Sequence, residues 1–119
     1  MHNITRGAVY MCNFGNKDGN VIGGFRPGLI VSSQVANRFS PVVLVVPISS
    51  KKPKHKLPAH IEIDRDDFST GKIKNVSIVH CEQILSVNKS EIHSKVGKLN
   101  DLKIRQIEEA LLLQLSIKM

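Results

Sequence analysis

Apolar positions change period once along this chain. Up to residue 99 they come in short runs, alternating or continuous, of the kind that fills strands. "RGAVYMCNF" (6–14) reads as a first strand, ended by Gly15. "GNKDGNVIGG" (15–24) is a glycine-bearing loop, and "PGLIVSS" (27–33) a second strand with its proline at the first position. "NRFSP" (37–41) carries turn signals. "VVLVVPIS" (42–49) is nearly all β-branched and reads as a strand buried on both faces. A basic, proline-punctuated loop follows (51–58), then an alternating strand (59–64), a polar excursion (65–75), one long strand (77–87) and a short one (95–99).

From residue 101 the period becomes helical. "DLKIRQIEEALLLQL" sets Ile104, Ile107, Leu111 and Leu115 on one face. Asn100 or Asp101 is the candidate N-cap. Short strands closed by one amphipathic helix predict a mainly β fold: a small barrel or strongly coiled sheet with the helix packed on its side. The 119 residues suit a single domain spanning 1–119.

Charge narrows the partner. Seventeen Lys and Arg against ten Asp and Glu leave a formal +7, which favours a polyanion such as nucleic acid. Cys12 and Cys81 form no CxxC pair, so two reduced, buried thiols are expected. The longest apolar run, "PVVLVVPI", is far short of the ~20 residues that span a bilayer, and the first ten residues lack a signal-peptide core. A cytoplasmic, unanchored protein is expected.

Arg26 is the first candidate for chemistry. Pro27 restricts it to extended conformations, and Gly23 and Gly24 allow close approach. A guanidinium so placed is either a bidentate phosphate clamp or a surface arginine in an ion pair. Ser49 shares a strand face with Val45 and Pro47, and reads either as a phosphate ligand or as a turn serine. Lys51, Lys52, Lys54 and Lys56 surround His55 and suit contacts to backbone phosphates. His80 and Glu82, two apart, form a possible acid/base pair or a polar surface pair, and His60 and Glu62 repeat that spacing. Asp64, Asp66 and Asp67 read as a surface loop. His2, His55, His60, His80 and His93 have no zinc-ligand spacing, so no metal is expected. Phe14 and Phe25 flank the glycine loop and are the aromatics best placed to stack on a base.

The order of these parts resembles the MazF/PemK/Kid family of toxin endoribonucleases. Arg6-Gly7 matches its "RG" start. Gly19, Gly23, Gly24, Arg26 and Pro27 match its "G-x-x-x-G-G-x-R-P" loop end. Asn37 to Pro41, Val45 to Ser49, and Lys56 to His60 match "NR(F)SP", "V-x-P-I-[ST]" and "KLP-x-H". Glu82, Gln83, Ile84, Asn88 and Lys89 match its "[DE]Q" region, and Ala110 to Leu112 the "ALL" of its terminal helix.

The resemblance implies an SH3-like small barrel of the CcdB/PemK kind with a C-terminal helix. It also implies a homodimer, an acidic antitoxin partner of the MazE/PemI kind, and cleavage of single-stranded mRNA without metal or other cofactor. Arg26 takes the place of the family's catalytic arginine and Ser49 that of its catalytic threonine or serine. Glu82 stands where some members carry a proton-transferring aspartate, and His80 where those members carry an arginine. Asn20, Phe25, the four lysines, Leu57, Pro58 and Gln83 fall on the RNA-binding side. Asn20-Val21 replaces the polar or acidic pair usual in the loop, so a carboxylate that helps hold the arginine is missing. The alternative is a non-cleaving module of the same fold: an RNA binder, or a gyrase-poisoning toxin similar to CcdB. The latter's Trp-Gly-Ile-type ending is absent.

Overall fold

Eight antiparallel strands form one curled sheet with a helix against one side, in a computed structural model that describes residues 3–118; His2 lies outside them. The strands are β1 (Ala8–Asn13), β2 (Phe25–Ile30), β3 (Val42–Ser49), β4 (His60–Ile63), β5 (Phe68–Gly71), β6 (Ser77–His80), β7 (Leu85–Asn88) and β8 (Ile92–Leu99). Among the described residues there are also two α-helices, α1 (Gln34–Phe39) and α2 (Asp101–Leu115), and 3-10 turns at Arg65–Asp67 and Lys89–Glu91. The sheet runs β4-β6-β3-β2-β1-β8-β5, with β7 also paired to β3. No described helix is long and apolar enough to cross a membrane.

The helix predicted for 101–115 forms over those residues. Asn100 caps it, its side chain accepting the Lys103 amide at 2.9 Å. Ile107 and Ala110 are buried against the sheet, and Ile104 and Leu111 pack beside them. Leu115, expected on the same stripe, is 55% exposed.

Other expectations need correction. Of the turn expected at 37–41, residues 37–39 are the end of α1 and Ser40 its C-cap; Ser33 caps the other end by accepting the Ala36 amide. The polar excursion contains a 3-10 turn, closed by a reciprocal Asp64–Asp67 capping box, and strand β5. Strand β2 starts at Phe25, so Pro27 is its third residue, paired with Met11 on β1. The ladder from β2 to β3 begins only at Gly28. Strand β3 is not buried throughout: Val42 and Leu44 are exposed.

The most consequential correction concerns 77–87, which is two strands and not one. Val45 pairs with Leu85, and Ile48 with Val79. Between those pairs β3 advances three residues while the opposite segment advances six. The surplus loops out as a turn at 81–84, with the Gln83 amide donating to the His80 carbonyl at 2.9 Å.

Residues paired across antiparallel strands point to the same face. One face carries Val9, Leu29, Val46, Ile48, Val79 and Leu99, and meets α2. The other carries Tyr10, Cys12, Ile30, Val43, Val45 and Val87, a second core. Gly28 belongs to this second face because no side chain fits there. A Cβ would stand 2.8 Å from the Phe14 ring and 3.1 Å from the Cys12 sulfur.

Candidate active site

Register places the two principal candidates together. Arg26 pairs with Cys12 and so projects on the second face. Gly28 pairs with Pro47, so Arg26 and Ser49 follow on the same face at neighbouring strand ends, just past the last paired residues. Ser49 pairs in turn with Ile78, which puts His80 and its partner His60 on this face too. His80 is the diagonal neighbour of Ser49, at about 7–8 Å for such positions. Two strand ends and a flanking ladder thus line up Arg26, Ser49 and His80 beyond the rim of a packed core.

Arg26 is half-buried, and its Nε donates to the Gly23 carbonyl at 2.8 Å. A backbone oxygen therefore does the holding for which the loop lacks a carboxylate. Gly24, at φ +86°, turns the chain between that carbonyl and Arg26. Ser49 Oγ accepts the Lys51 amide at 3.2 Å, leaving its hydroxyl hydrogen to donate elsewhere.

His60 and His80, both buried, form a cluster with the half-buried Glu82. The two rings stand edge to face, 4.8 Å between centroids. Glu82 Oε2 lies 2.8 Å from His60 Nε2 and 3.2 Å from His80 Nδ1. His60 Nδ1 accepts the Leu57 amide at 3.0 Å, so its proton sits on Nε2 and points at Glu82. His80 Nδ1 faces Glu82, while its Nε2 is covered and unbonded, as is Glu82 Oε1. Burial pushes the Glu82 pKa up, but hydrogen bonds from His60, from its own backbone and from His80 outweigh it and hold the carboxyl below its usual value.

The donor atoms of these three residues lie close enough together to suggest a cation site. The tautomer argues against it. A metal on His60 Nε2 would move the proton to Nδ1, setting two N–H groups against each other at Leu57. His60 was not singled out by sequence reasoning. Its spacing to Glu62 pointed to a strand pair, yet Glu62 is exposed, and the residue His60 meets lies on the next turn.

The sequence-predicted RNA-binding residues divide into two groups. Asn20 is exposed on the glycine loop, and Lys51, Lys52, Lys54, Lys56, Leu57 and Pro58 are exposed on the basic loop. Phe25 is 59% exposed, its ring edge 5.3 Å from His93. Gln83 differs, because both ends of its amide are taken: Oε1 accepts the Ile22 amide at 2.7 Å and Nε2 donates to the Asn20 carbonyl at 2.9 Å.

Residues 5–115 match the family described as PemK-like, MazF-like toxin of type II toxin-antitoxin system. Endoribonuclease EndoA of Bacillus subtilis (strain 168) is 32% identical over 114 residues, covering 96% of each chain. Among solved structures, a mycobacterial endoribonuclease in complex with its cognate antitoxin superimposes with a TM-score of 0.74 at 23% identity, over 96% of each chain. MazF from Deinococcus radiodurans superimposes with a TM-score of 0.77 at 17% identity, over 98% of this chain and all of the other.

Proposed function

The chain belongs to the PemK-like, MazF-like toxins of type II toxin-antitoxin systems, and from that premise we propose that it is an endoribonuclease cleaving single-stranded mRNA at short sequences without a metal. The observation that carries the reading is the alignment of Arg26, Ser49 and His80 on one sheet face, beside an exposed loop of four lysines.

RNA brings its own nucleophile. The 2′-oxygen attacks the adjacent phosphorus, the bond from phosphorus to O5′ breaks, and the products are a 2′,3′-cyclic phosphate and a 5′-hydroxyl. The protein must take the proton of the 2′-hydroxyl, return one to O5′, and stabilise charge on the phosphoryl oxygens. Arg26 takes the charge role, since a guanidinium stays protonated and binds phosphate oxygens in a fork. Ser49 orients the phosphate through its hydroxyl hydrogen.

Between the two candidate bases, Glu82 is the weaker because its carboxyl is held low. His80 is the better one: Glu82 fixes its Nδ1–H, and the remaining lone pair is the proton acceptor. That atom is covered in the free protein, so RNA must open the site before the proton moves.

The partners follow the same premise. The basic loop suits RNA phosphates. Exposed Val35, Phe39, Val42 and Leu44 supply apolar surface for a homodimer, and the +7 charge suits an acidic antitoxin. Such a toxin acts in the cytoplasm.

The decisive experiment digests a long RNA with the purified protein in EDTA and maps the new 5′ ends. Cleavage at a short recurrent sequence is expected, and a 2′-deoxy substitution at the cut should stop it. Cutting of all-DNA, or loss of cutting on chelation, would refute the reading.

A further inference from the structure

We propose that Gln83 is a positioning residue: it pins the glycine loop to the body of the protein and so sets the aim of Arg26. The proposal rests on the ribonuclease reading for its catalytic consequence, though not for the loop geometry.

The loop is weakly tied elsewhere. Its base is closed by two backbone bonds, Gly24 to Gly15 at 2.8 Å and Phe14 to Gly24 at 2.9 Å. Inside it, Val21 turns back on Asp18 at 3.4 Å. Among the described residues, the only hydrogen bonds from 16–22 to another element are the two made by Gln83. One amide side chain thus satisfies an N–H and a C=O of the loop backbone, bridging 61 and 63 residues of sequence.

What Gln83 holds leads directly to the guanidinium. Ile22 precedes Gly23, and the Gly23 carbonyl receives Arg26 Nε. Gly23 has little room to shift, since a Cβ there would stand 2.6 Å from the Gly15 carbonyl oxygen. Fixing Ile22 therefore steadies from one side the peptide whose oxygen orients Arg26, as the Gly24–Gly15 bond does from the other. Loss of the clamp frees residues 16–22 and leaves the Gly24–Gly15 bond alone to hold the peptide that carries that oxygen.

Gln83 is itself on a rigid platform. Its turn is closed on His80, the Cys81 amide donates to Ala59 at 3.0 Å, and Glu82 is gripped by both histidines. Through His60 the same platform holds Leu57, at the end of the basic loop. Both substrate-facing loops are thereby referenced to a single turn.

The test compares wild type, Gln83→Ala and Gln83→Glu by amide hydrogen exchange and by steady-state cleavage of an RNA containing the mapped site. In Gln83→Ala the Ile22 amide should lose protection while the Val46 amide in the core keeps it. Its kcat should fall on the order of 10²-fold, as for a misplaced catalytic group, with a smaller change in KM. Gln83→Glu keeps an acceptor for Ile22 but sets a carboxylate against the Asn20 carbonyl. It should retain Ile22 protection and recover part of kcat. An Ile22 amide equally protected in Gln83→Ala overturns the clamp. A deprotected Ile22 with unchanged kcat overturns the link to Arg26. Should the wild type cut no RNA, the ribonuclease reading fails and hydrogen exchange still decides the clamp.

Discussion

His60 and Glu82 meet at 2.8 Å across 22 residues of sequence, and the opposite nitrogen of the same ring receives the Leu57 amide. The carboxylate is thus one member of a relay that ends in backbone. Its folded pKa lies below its ordinary value of 4.5 because of the hydrogen bonds from His60, its own backbone and His80, which overcome the opposing effect of burial. The sign follows directly: a lowered carboxyl pKa stabilises the fold above the unfolded value, and that stabilisation is lost as pH falls through the folded one. Glu82→Gln should lose about 1.5–3 kcal/mol of stability near neutrality, the worth of hydrogen bonds to a charged group. The deficit should shrink in acid. Urea unfolding across that range checks it; a deficit constant with pH would remove the carboxylate from the account.

Arg26→Ala should lower cleavage by about 10²–10³-fold, the usual cost of removing a preorganised donor from developing charge. Arg26→Lys should recover little, because an ammonium offers no fork and has no Nε for Gly23. Neither change should move the melting temperature much, since the side chain projects past the last rung between β2 and β3. Ser49→Ala should cost less than Arg26→Ala. Rates measured on one RNA, with circular dichroism as the folding control, separate these outcomes.

Both cysteines should be silent in the native protein. Cys12 and Cys81 are buried, and burial pushes each thiol up to about 12, with Glu82 adding to the rise at Cys81. The reactive thiolate is then scarce at neutral pH. Iodoacetamide should label neither site until denaturant is added. Labelling of Cys81 alone in the folded state would show that the turn at 81–84 opens readily.

Two neighbours on α2 should behave very differently. Ile107 is 2% exposed in the core, and truncation to Ala should cost about 2–5 kcal/mol. Glu108 bridges Arg6 at 2.8 Å with both side chains well exposed to solvent, and exposed pairs are worth about 0–1 kcal/mol. Arg6 Nε also donates to the Val31 carbonyl at 3.2 Å, a bond that does not involve Glu108. Denaturant midpoints of Ile107→Ala and Glu108→Ala give the ranking, and equal losses would contradict it.

Much of the fold is legible in the residues because its causes are local. The 3.6-residue period after residue 100 needs no partner to be read, and Asn100 caps the helix through a contact three residues away. The β-branched run at 42–49 is a strand wherever it lies. By contrast, Ser33 and Asn37 looked like the end of a strand and a turn. The short helix that follows Ser33 and contains Asn37 depends on Ser33 capping it and on Asn37 being buried against Ser32, with which it bonds through both side chain and backbone.

The site divides along the same line. Ser49 at the end of an apolar run marked the end of the third strand from sequence alone, because strand alternation acts on adjacent residues, whereas the second strand starts at Phe25, two residues before the Pro27 expected to open it. The partner of Arg26 Nε, the tautomer of His60 and the occupation of the Gln83 amide came only with the tertiary structure. The turn at 81–84 supplies the Gln83 amide and the Glu82 carboxylate that His60 faces. That turn exists because β3 takes β7 and then β6 along one edge, with three residues too many between them. His80 and Glu82 would lie on one face of a continuous strand, as their spacing suggests. The surplus residues instead fold Glu82 back onto two imidazoles and send Gln83 across to the glycine loop. Strand pairing is a contest between segments far apart in the chain, so no local pattern announces where a ladder will slip.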